Sequence, residues 1–214
     1  MTAICILNQW FLLEHRISPL SPRKCSACGV HHKLCVCKQC HMVEGAPRLW
    51  VLQHPLELGH SKGTLRVAKA CLPNLQVVVG EGGADFDELE SRIDTARGAL
   101  LFPGSGSEGL ESSHPCLSRD WILLDATWRK ARKMLLMTPW LAALPRYEFT
   151  HPPSSSYRIR KGPSSSSLST LEAIEHLITL TTPACDTAPL KKGLQALVQA
   201  QLSQIPADIQ HRYE

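Results

Sequence analysis

Short apolar runs alternate with amphipathic segments along most of this 214-residue chain, and this alternation constrains the fold more than any other feature. Four apolar runs predict buried strands and a fifth run predicts an edge strand: residues 49–53, 75–79, 99–102, 121–124 and 147–150. Apolar residues at helical spacing predict helices over residues 64–72, 85–96, 127–137, 169–181 and 190–203. Because such alternation is typical of βαβ units, we expect an α/β fold, a mostly parallel sheet flanked by helices.

The composition indicates an ordinary soluble protein. Hydrophobic residues make up 43% of the chain and charged residues 20%, as in typical globular domains. No run of 18 apolar residues occurs, so we expect no membrane span. The apolar stretch near the N-terminus has neither a basic lead nor a small-residue cleavage site, so we expect no secretory signal and a cytoplasmic location.

Five of the nine cysteines lie between residues 25 and 40. Two closely spaced pairs of thiols suit tetrahedral Zn²⁺, and we predict a structural zinc ion on four ligands, Cys25, Cys28, Cys35 and Cys37. Cys40, His31, His32 and His41 stay open as substitute ligands, and free or redox-active thiols are the alternative to a metal. This zinc knuckle at residues 23–45 would separate an N-terminal extension, residues 1–22, from the α/β domain, residues 46–214.

Polar or glycine residues follow three of the predicted strands. The three segments are Gln53-His54-Pro55, Phe102-Pro103-Gly104-Ser105 and Asp125-Ala126-Thr127-Trp128. The carboxyl ends of parallel strands lie at one edge of a sheet, where ligands bind. We therefore predict a shared pocket. The structural alternatives are a tight glycine turn after the third strand and helix N-capping by Asp125 or Thr127.

Positive charge is concentrated beside the predicted pocket. The net charge is only +4, yet one side of the helix after Asp125 is basic, and a second basic segment contains Tyr157. A cationic surface of this kind suggests a polyanion such as RNA, and an aromatic among bases is typical of single-strand binding. For each basic residue, an ordinary solvated helix face is the alternative. The candidate RNA contacts are Arg129, Lys130, Arg132, Lys133, Arg158, Arg160 and Lys161.

These motifs, in this order, resemble the DTW-domain family, the tRNA-uridine aminocarboxypropyltransferases. The resemblance covers roughly residues 23 to 200, and Gly63 departs from the family pattern, where Asn is expected. Ser169 and Glu172 within the last motif also fit a helix capping box. The motifs are Cys25-x2-Cys28 with Cys35-x-Cys37, Gln53-His54-Pro55-x-Glu57, Leu101-Phe102-Pro103-Gly104, Asp125-x-Thr127-Trp128, Tyr157-Arg158-Ile159-Arg160-Lys161 and Leu168-Ser169-Thr170-Leu171-Glu172-Ala173.

The resemblance implies transfer of the 3-amino-3-carboxypropyl group of S-adenosylmethionine to N3 of a uridine in tRNA, which releases methylthioadenosine. It also implies a fold related to the knotted SPOUT class and Asp125 as the general base. Two other functions remain open: RNA methylation with the same cofactor, and RNA binding by a zinc protein without catalysis. The implied cofactor-binding residues are Phe102, Pro103, Gly104, Ser105, Asp125, Thr127, Trp128, Leu168, Ser169 and Thr170.

Overall fold

The computed structural model describes residues 23–94, 96–113, 119–159 and 167–213. Its strands form one six-stranded sheet in the order β2-β1-β5-β3-β6-β4, and each neighbouring pair is parallel. The N-terminal extension and the predicted RNA contacts Arg160 and Lys161 lie outside the described residues. The strands are β1 (Leu49–Gln53), β2 (Leu75–Val79), β3 (Gly98–Leu101), β4 (Glu108–Gly109), β5 (Asp120–Asp125) and β6 (Arg146–Glu148).

Helices cover both faces of the sheet, which confirms the predicted α/β fold. On one face α1, α3, α6 and α7 contribute to a single hydrophobic core, and on the other face α2, α4 and α5 contribute to a second core. The helices are α1 (Leu65–Cys71), α2 (Asp87–Arg92), α3 (Leu110–Ser113), α4 (Trp128–Leu136), α5 (Pro139–Ala143), α6 (Thr170–Thr181) and α7 (Ala188–Leu202).

The interior strand β1 shows why the strand sequences are apolar throughout. Leu49 and Val51 enter the first core, whereas Trp50 and Leu52 enter the second. A parallel sheet that is covered on both faces requires apolar side chains at successive positions. Polar residues therefore begin where the strand ends, at Gln53.

Two predictions about elements are wrong in detail. Strand β6 is not an edge, because β4 pairs along its outer side; a two-residue strand has no periodicity that a sequence reveals. The helix predicted over residues 85–96 is shorter. A 3₁₀ turn at Gly83–Phe86 precedes α2, which ends where Ile93 adopts extended backbone and is buried.

The cysteine-rich knuckle packs against the α/β core. Val36 and Val43 are buried in the core formed with α1, α6 and α7, and the Val43 N–H donates to the Cys71 carbonyl at 2.8 Å. Among the described residues, none of the helices has the length and apolarity to cross a bilayer. The knotted topology and the domain boundaries stay predictions.

Candidate metal centre and active site

Four cysteine sulfurs meet in the knuckle. The ligand atoms of Cys25, Cys28, Cys35 and Cys37 all lie within 4.8 Å of one another, and the Cys28 and Cys35 sulfurs are 3.8 Å apart. A tetrahedron with metal–sulfur bonds of about 2.3 Å has edges of about 3.8 Å. The four thiols therefore fit a tetrahedral zinc ion.

A backbone turn holds the first pair of thiols in place. Gly29 has φ +69°, in the left-handed region that favours glycine, and its N–H donates to the Cys25 carbonyl at 2.8 Å. The backbone N–H of Cys28 lowers the pKa of the Cys25 thiol to about 6, whereas burial raises the pKa of Cys37. A bound cation would favour the thiolate at both positions.

Cys40 has different neighbours from the four clustered cysteines. Its thiol donates to the Val36 carbonyl at 3.4 Å and hydrogen-bonds to buried Cys71, a contact that raises the pKa of Cys40. His31, His32 and His41 are exposed and do not belong to the four-cysteine group. The substitute ligands considered from sequence are therefore not part of this site.

A cavity of about 660 Å³ opens at the carboxyl ends of β1, β3 and β5. This volume is typical of small-molecule sites. Loops that follow four strands and the start of α6 form its wall. Its lining includes Glu57, Lys62, Phe102, Pro103, Asp125, Thr127, Trp128, Tyr157, Leu168, Ser169 and Thr170.

Asp125 is held by contacts from two other elements. It is the last residue of β5, directly opposite Gln53 of β1 in the sheet register. The Gln53 amide Nε2 donates to Asp125 Oδ2 at 2.8 Å, and the Thr170 hydroxyl donates to Oδ1 at 2.5 Å. These two donors, one to each oxygen, fix the plane of the carboxylate.

The capping box predicted at the start of α6 is present. The Ser169 hydroxyl accepts from the Glu172 N–H at 3.4 Å, and Glu172 Oε2 accepts from the Ser169 N–H at 2.8 Å. The hydroxyl of buried Thr64 accepts from the Leu171 N–H at 3.2 Å. These contacts tie the helix terminus to α1 and position the Thr170 side chain next to Asp125.

Glu172 also holds the loop that closes one side of the cavity. Its Oε1 accepts from the N–H of Ser156 at 2.7 Å and from that of Tyr157 at 3.2 Å, and the Ser155 hydroxyl donates to the same carboxylate at 3.0 Å. The Tyr157 hydroxyl then donates to the Lys62 carbonyl at 2.5 Å. The buried carboxylate thus joins three walls of the cavity.

A second carboxylate fixes the chain after β6. Glu111 in α3 accepts from the backbone N–H groups of Thr150 and His151, both at 3.0 Å. Burial acts to raise the pKa of Glu111, but these hydrogen bonds outweigh it and lower the pKa to about 2. The carboxylate is therefore ionised at neutral pH and holds the segment that leads to Pro152 in the cavity wall.

Two aromatic rings stack at the mouth of the cavity. The ring centroids of Phe102 and Trp128 are 4.9 Å apart with an interplanar angle of 11°. Phe102 is buried, whereas Trp128 is 54% exposed. Trp128 is also the first residue of α4, whose N-cap is Thr127.

Helix α4 is amphipathic as predicted. Ala131, Met134 and Leu135 are buried in the second core. On the opposite side Arg129 and Arg132 are exposed, and Lys130 is half-buried. Exposed Lys133 lies 3.7 Å from Glu81, whose other oxygen is 3.9 Å from the Nε2 of buried His54.

A model of the DTW domain matches residues 22–202. The chain belongs to the DTW-domain family. It is similar to tRNA-uridine aminocarboxypropyltransferase 2 of Macaca fascicularis (29% identity, 86% of this chain and 66% of the relative), of Mus musculus (29%, 84% and 63%) and of Drosophila melanogaster (28%, 72% and 64%). The chain thus spans just under two thirds of the length of these relatives. No solved structure gives a significant match.

The cavity of this DTW domain brings together most of the cofactor-binding residues that the sequence predicted. Phe102, Pro103, Asp125, Thr127, Trp128, Leu168, Ser169 and Thr170 all line it. Gly104 and Ser105 are exposed and are not part of its lining, because the chain turns away after Pro103. Arg158 is exposed beside the loop that Glu172 holds.

Four further residues of the DTW domain contact the cavity or Asp125, although they were not among the predicted cofactor contacts. Gln53 and Glu57 belong to one of the motifs that carry the resemblance. Glu57 lines the cavity, and Gln53 contacts Asp125, its neighbour in the sheet register. Lys62 and Thr64 belong to none of these motifs and to no strand end, so the sequence did not indicate that they line the cavity. They reach the cavity through tertiary contacts with Tyr157 and Leu171.

Proposed function

We propose that this DTW domain transfers the 3-amino-3-carboxypropyl group of S-adenosylmethionine to N3 of a uridine in tRNA, and that it releases methylthioadenosine and a proton. The observation that carries the proposal is the Asp125 carboxylate, which Gln53 and Thr170 orient inside a cavity of about 660 Å³. The activity named for the curated relatives supports it.

In this proposal Asp125 acts as the general base. Uridine N3 carries a proton at neutral pH and must lose it to form a bond to carbon. The Asp125 carboxylate, which Gln53 and Thr170 hold in place, can accept that proton. A positioned base of this kind contributes about 10²- to 10⁴-fold to the rate.

The cavity lining fits the cofactor chemically. The sulfonium of S-adenosylmethionine supplies an electrophilic side-chain methylene. Phe102 and Leu168 offer apolar contact area, and Lys62 and Glu57 offer charges opposite to those of the cofactor's carboxylate and amino groups. Because the sulfonium activates three carbons, these contacts must select one of them by orientation, at about 3–3.5 Å from N3.

We propose that the ion in the four-cysteine site is zinc and that its role is structural, since four thiolates leave no open coordination position. The basic side of α4 and Arg158 would bind tRNA, together with Arg160 and Lys161. We propose the cytoplasm as the compartment.

Nucleoside mass spectrometry tests the function directly. Purified protein is incubated with S-adenosylmethionine and tRNA, and the digested tRNA and the small-molecule products are measured. We expect aminocarboxypropyluridine and one equivalent of methylthioadenosine. S-adenosylhomocysteine with methylated uridine would replace the proposal by methyl transfer, and RNA binding without any cofactor product would replace it by a non-catalytic role.

Replacing Asp125 tests its role as the base. Asp125→Asn removes the proton acceptor but preserves the size of the side chain, so we expect kcat to fall about 10²- to 10⁴-fold while tRNA affinity stays nearly unchanged. The matched control is Asp120→Asn at the other end of β5, where the carboxylate lies 3.7 Å from Arg48. Unchanged turnover in Asp125→Asn would remove this residue from the mechanism.

A further inference from the structure

The indole of Trp128 has one covered face and a large exposed surface. Phe102 covers one face in a nearly parallel stack, with 4.9 Å between the ring centroids. Despite this contact, 54% of Trp128 is exposed, at the mouth of the cavity that it lines. An exposed tryptophan that a buried ring holds in one orientation is a rigid, flat apolar surface.

Other apolar side chains are exposed at the same edge of the sheet. Leu56 and Leu58, in the loop after β1, are 68% and 54% exposed. Since β1 and β5 are neighbours in the sheet, this loop and the Trp128 segment leave adjacent strand ends. Exposed apolar residues that gather at one place mark binding surfaces more often than scattered ones do.

The charges around Trp128 suit a nucleic acid. Arg129 follows it directly and is exposed, and Arg132 is exposed one turn further along α4. Asp125 precedes Trp128 by three residues and lines the same cavity. A flat aromatic surface between cationic side chains and a cavity is the usual arrangement for a splayed-out base whose phosphates remain outside.

We propose that the uncovered face of Trp128 stacks on the base of the target uridine as it enters the cavity. The stack Phe102–Trp128–uracil directs the N3 edge of the base toward Asp125. This inference rests on the proposed function for the nature of the substrate. It assigns Trp128 to the nucleobase, whereas the family resemblance groups this residue with the cofactor contacts.

In this proposal one residue, Trp128, stacks on the base, and another, Asp125, selects which base is bound. Every base has an aromatic face, so Trp128 provides affinity without discrimination. Uracil N3 is a hydrogen-bond donor, whereas cytosine N3 is an acceptor. The Asp125 carboxylate accepts from the first and repels the second, and therefore selects uridine over cytidine.

Binding measurements without turnover test the assignment. A uridine hexanucleotide and the same backbone with abasic positions are titrated against the protein, and S-adenosylmethionine is titrated separately by calorimetry. Base stacking on an aromatic side chain contributes about 1–3 kcal/mol. We therefore expect the wild-type protein to prefer the hexanucleotide over the abasic strand by about tenfold or more.

Three variants test whether Trp128 causes the preference for the hexanucleotide over the abasic strand. Trp128→Ala should abolish most of the preference for bases and leave cofactor affinity unchanged, and Trp128→Phe should retain most of it because an aromatic face remains. The matched control is Leu136→Ala, at the other end of α4, where the side chain is 80% exposed. It should leave the preference unchanged, and thermal melting of each variant shows that it is folded.

Two binding results and one kinetic result would overturn the assignment. If Trp128→Ala weakens cofactor binding but keeps the preference for bases, the indole contacts the cofactor. If it alters neither, the exposed face has no ligand. A protein that prefers bases through Trp128 but transfers nothing would refute only the proposed function, and transfer by Trp128→Ala at the wild-type KM for tRNA would refute only the stacking role.

Discussion

At the scale of single residues, the cysteines of the knuckle differ in what their sulfur atoms contact. Cys28 faces three other thiols within 4.8 Å, whereas Cys40 hydrogen-bonds to Cys71 beside α7. A serine hydroxyl replaces a thiolate poorly as a zinc ligand. We expect Cys28→Ser to reduce bound zinc from one equivalent to nearly none, and Cys40→Ser to keep one equivalent.

Elemental analysis of the purified variants measures this difference, and thermal melting measures its effect on folding. Because Val36 lies between Cys35 and Cys37 and is buried in the core formed with α1, α6 and α7, we expect loss of the ion to lower the melting temperature as well. Equal zinc loss in both variants would show that Cys40 is a ligand.

The contacts of Asp125 show how far residue-level prediction extends. Its place at a strand end was visible because an apolar run stops there, and this position already suggested a pocket. Its two partners were not visible as partners. Thr170 is separated from it by 45 residues, and only the packing of α6 against the sheet brings the hydroxyl to the carboxylate.

At the scale of elements, α6 and the loop at residues 155–157 depend on one carboxylate. Glu172→Gln keeps the side-chain shape but introduces a donor that faces the loop N–H groups. Hydrogen bonds to a charged group contribute about 1.5–3 kcal/mol, so we expect the free energy of unfolding to fall by about that amount. We also expect KM for the cofactor to rise, because the loop forms part of the cavity wall.

Glu175→Gln is the matched control, since it lies one turn further along α6. The amide oxygen can still accept from the Thr187 and Thr179 hydroxyls, which donate to Glu175 Oε1 at 2.7 and 3.1 Å. The variant therefore loses only the charge that is paired with largely exposed Lys191 at 3.3 Å, so we expect a smaller loss of stability than in Glu172→Gln. Denaturant unfolding and steady-state kinetics are measured for both. A rise in KM of equal size in the control would show that the loop contacts have no specific role in the cavity.

Elements with a strong periodic pattern were predictable, and short ones were not. The apolar run predicted β1 and the amphipathic pattern predicted α4, and both elements have nearly the predicted bounds. Strand β4 has two residues and the helix α3 has four. Elements this short form because neighbouring segments supply their hydrogen bonds. The local sequence pattern does not reveal these tertiary contacts.

At the scale of the whole molecule, charge is distributed unevenly over a chain of net charge +4. Arg129 and Arg132 are exposed on the side of the sheet that carries α4, whereas exposed Lys69 is on α1, across the sheet. Each phosphate contact adds close to one unit to the slope of log affinity against log salt. We expect the slope for RNA to fall by about one in each of Arg129→Ala and Arg132→Ala.

Lys69→Ala serves as the control and should leave the slope unchanged. Filter binding of RNA over a series of sodium chloride concentrations yields all three slopes. If Lys69→Ala lowers the slope as much as the arginine variants do, RNA binds by general electrostatic attraction and not at the surface beside the cavity.

The cavity walls come from distant parts of the chain, as the hydrogen bond between Tyr157 and Lys62 shows. A nascent polypeptide that has left the ribosome only as far as β6 already contains Asp125 but lacks the Thr170 hydroxyl that orients it. It also lacks α6 and α7, so the apolar residues of α1 remain uncovered. A product of premature termination at that point would therefore lack the complete cavity and would present exposed apolar side chains to chaperones and proteases.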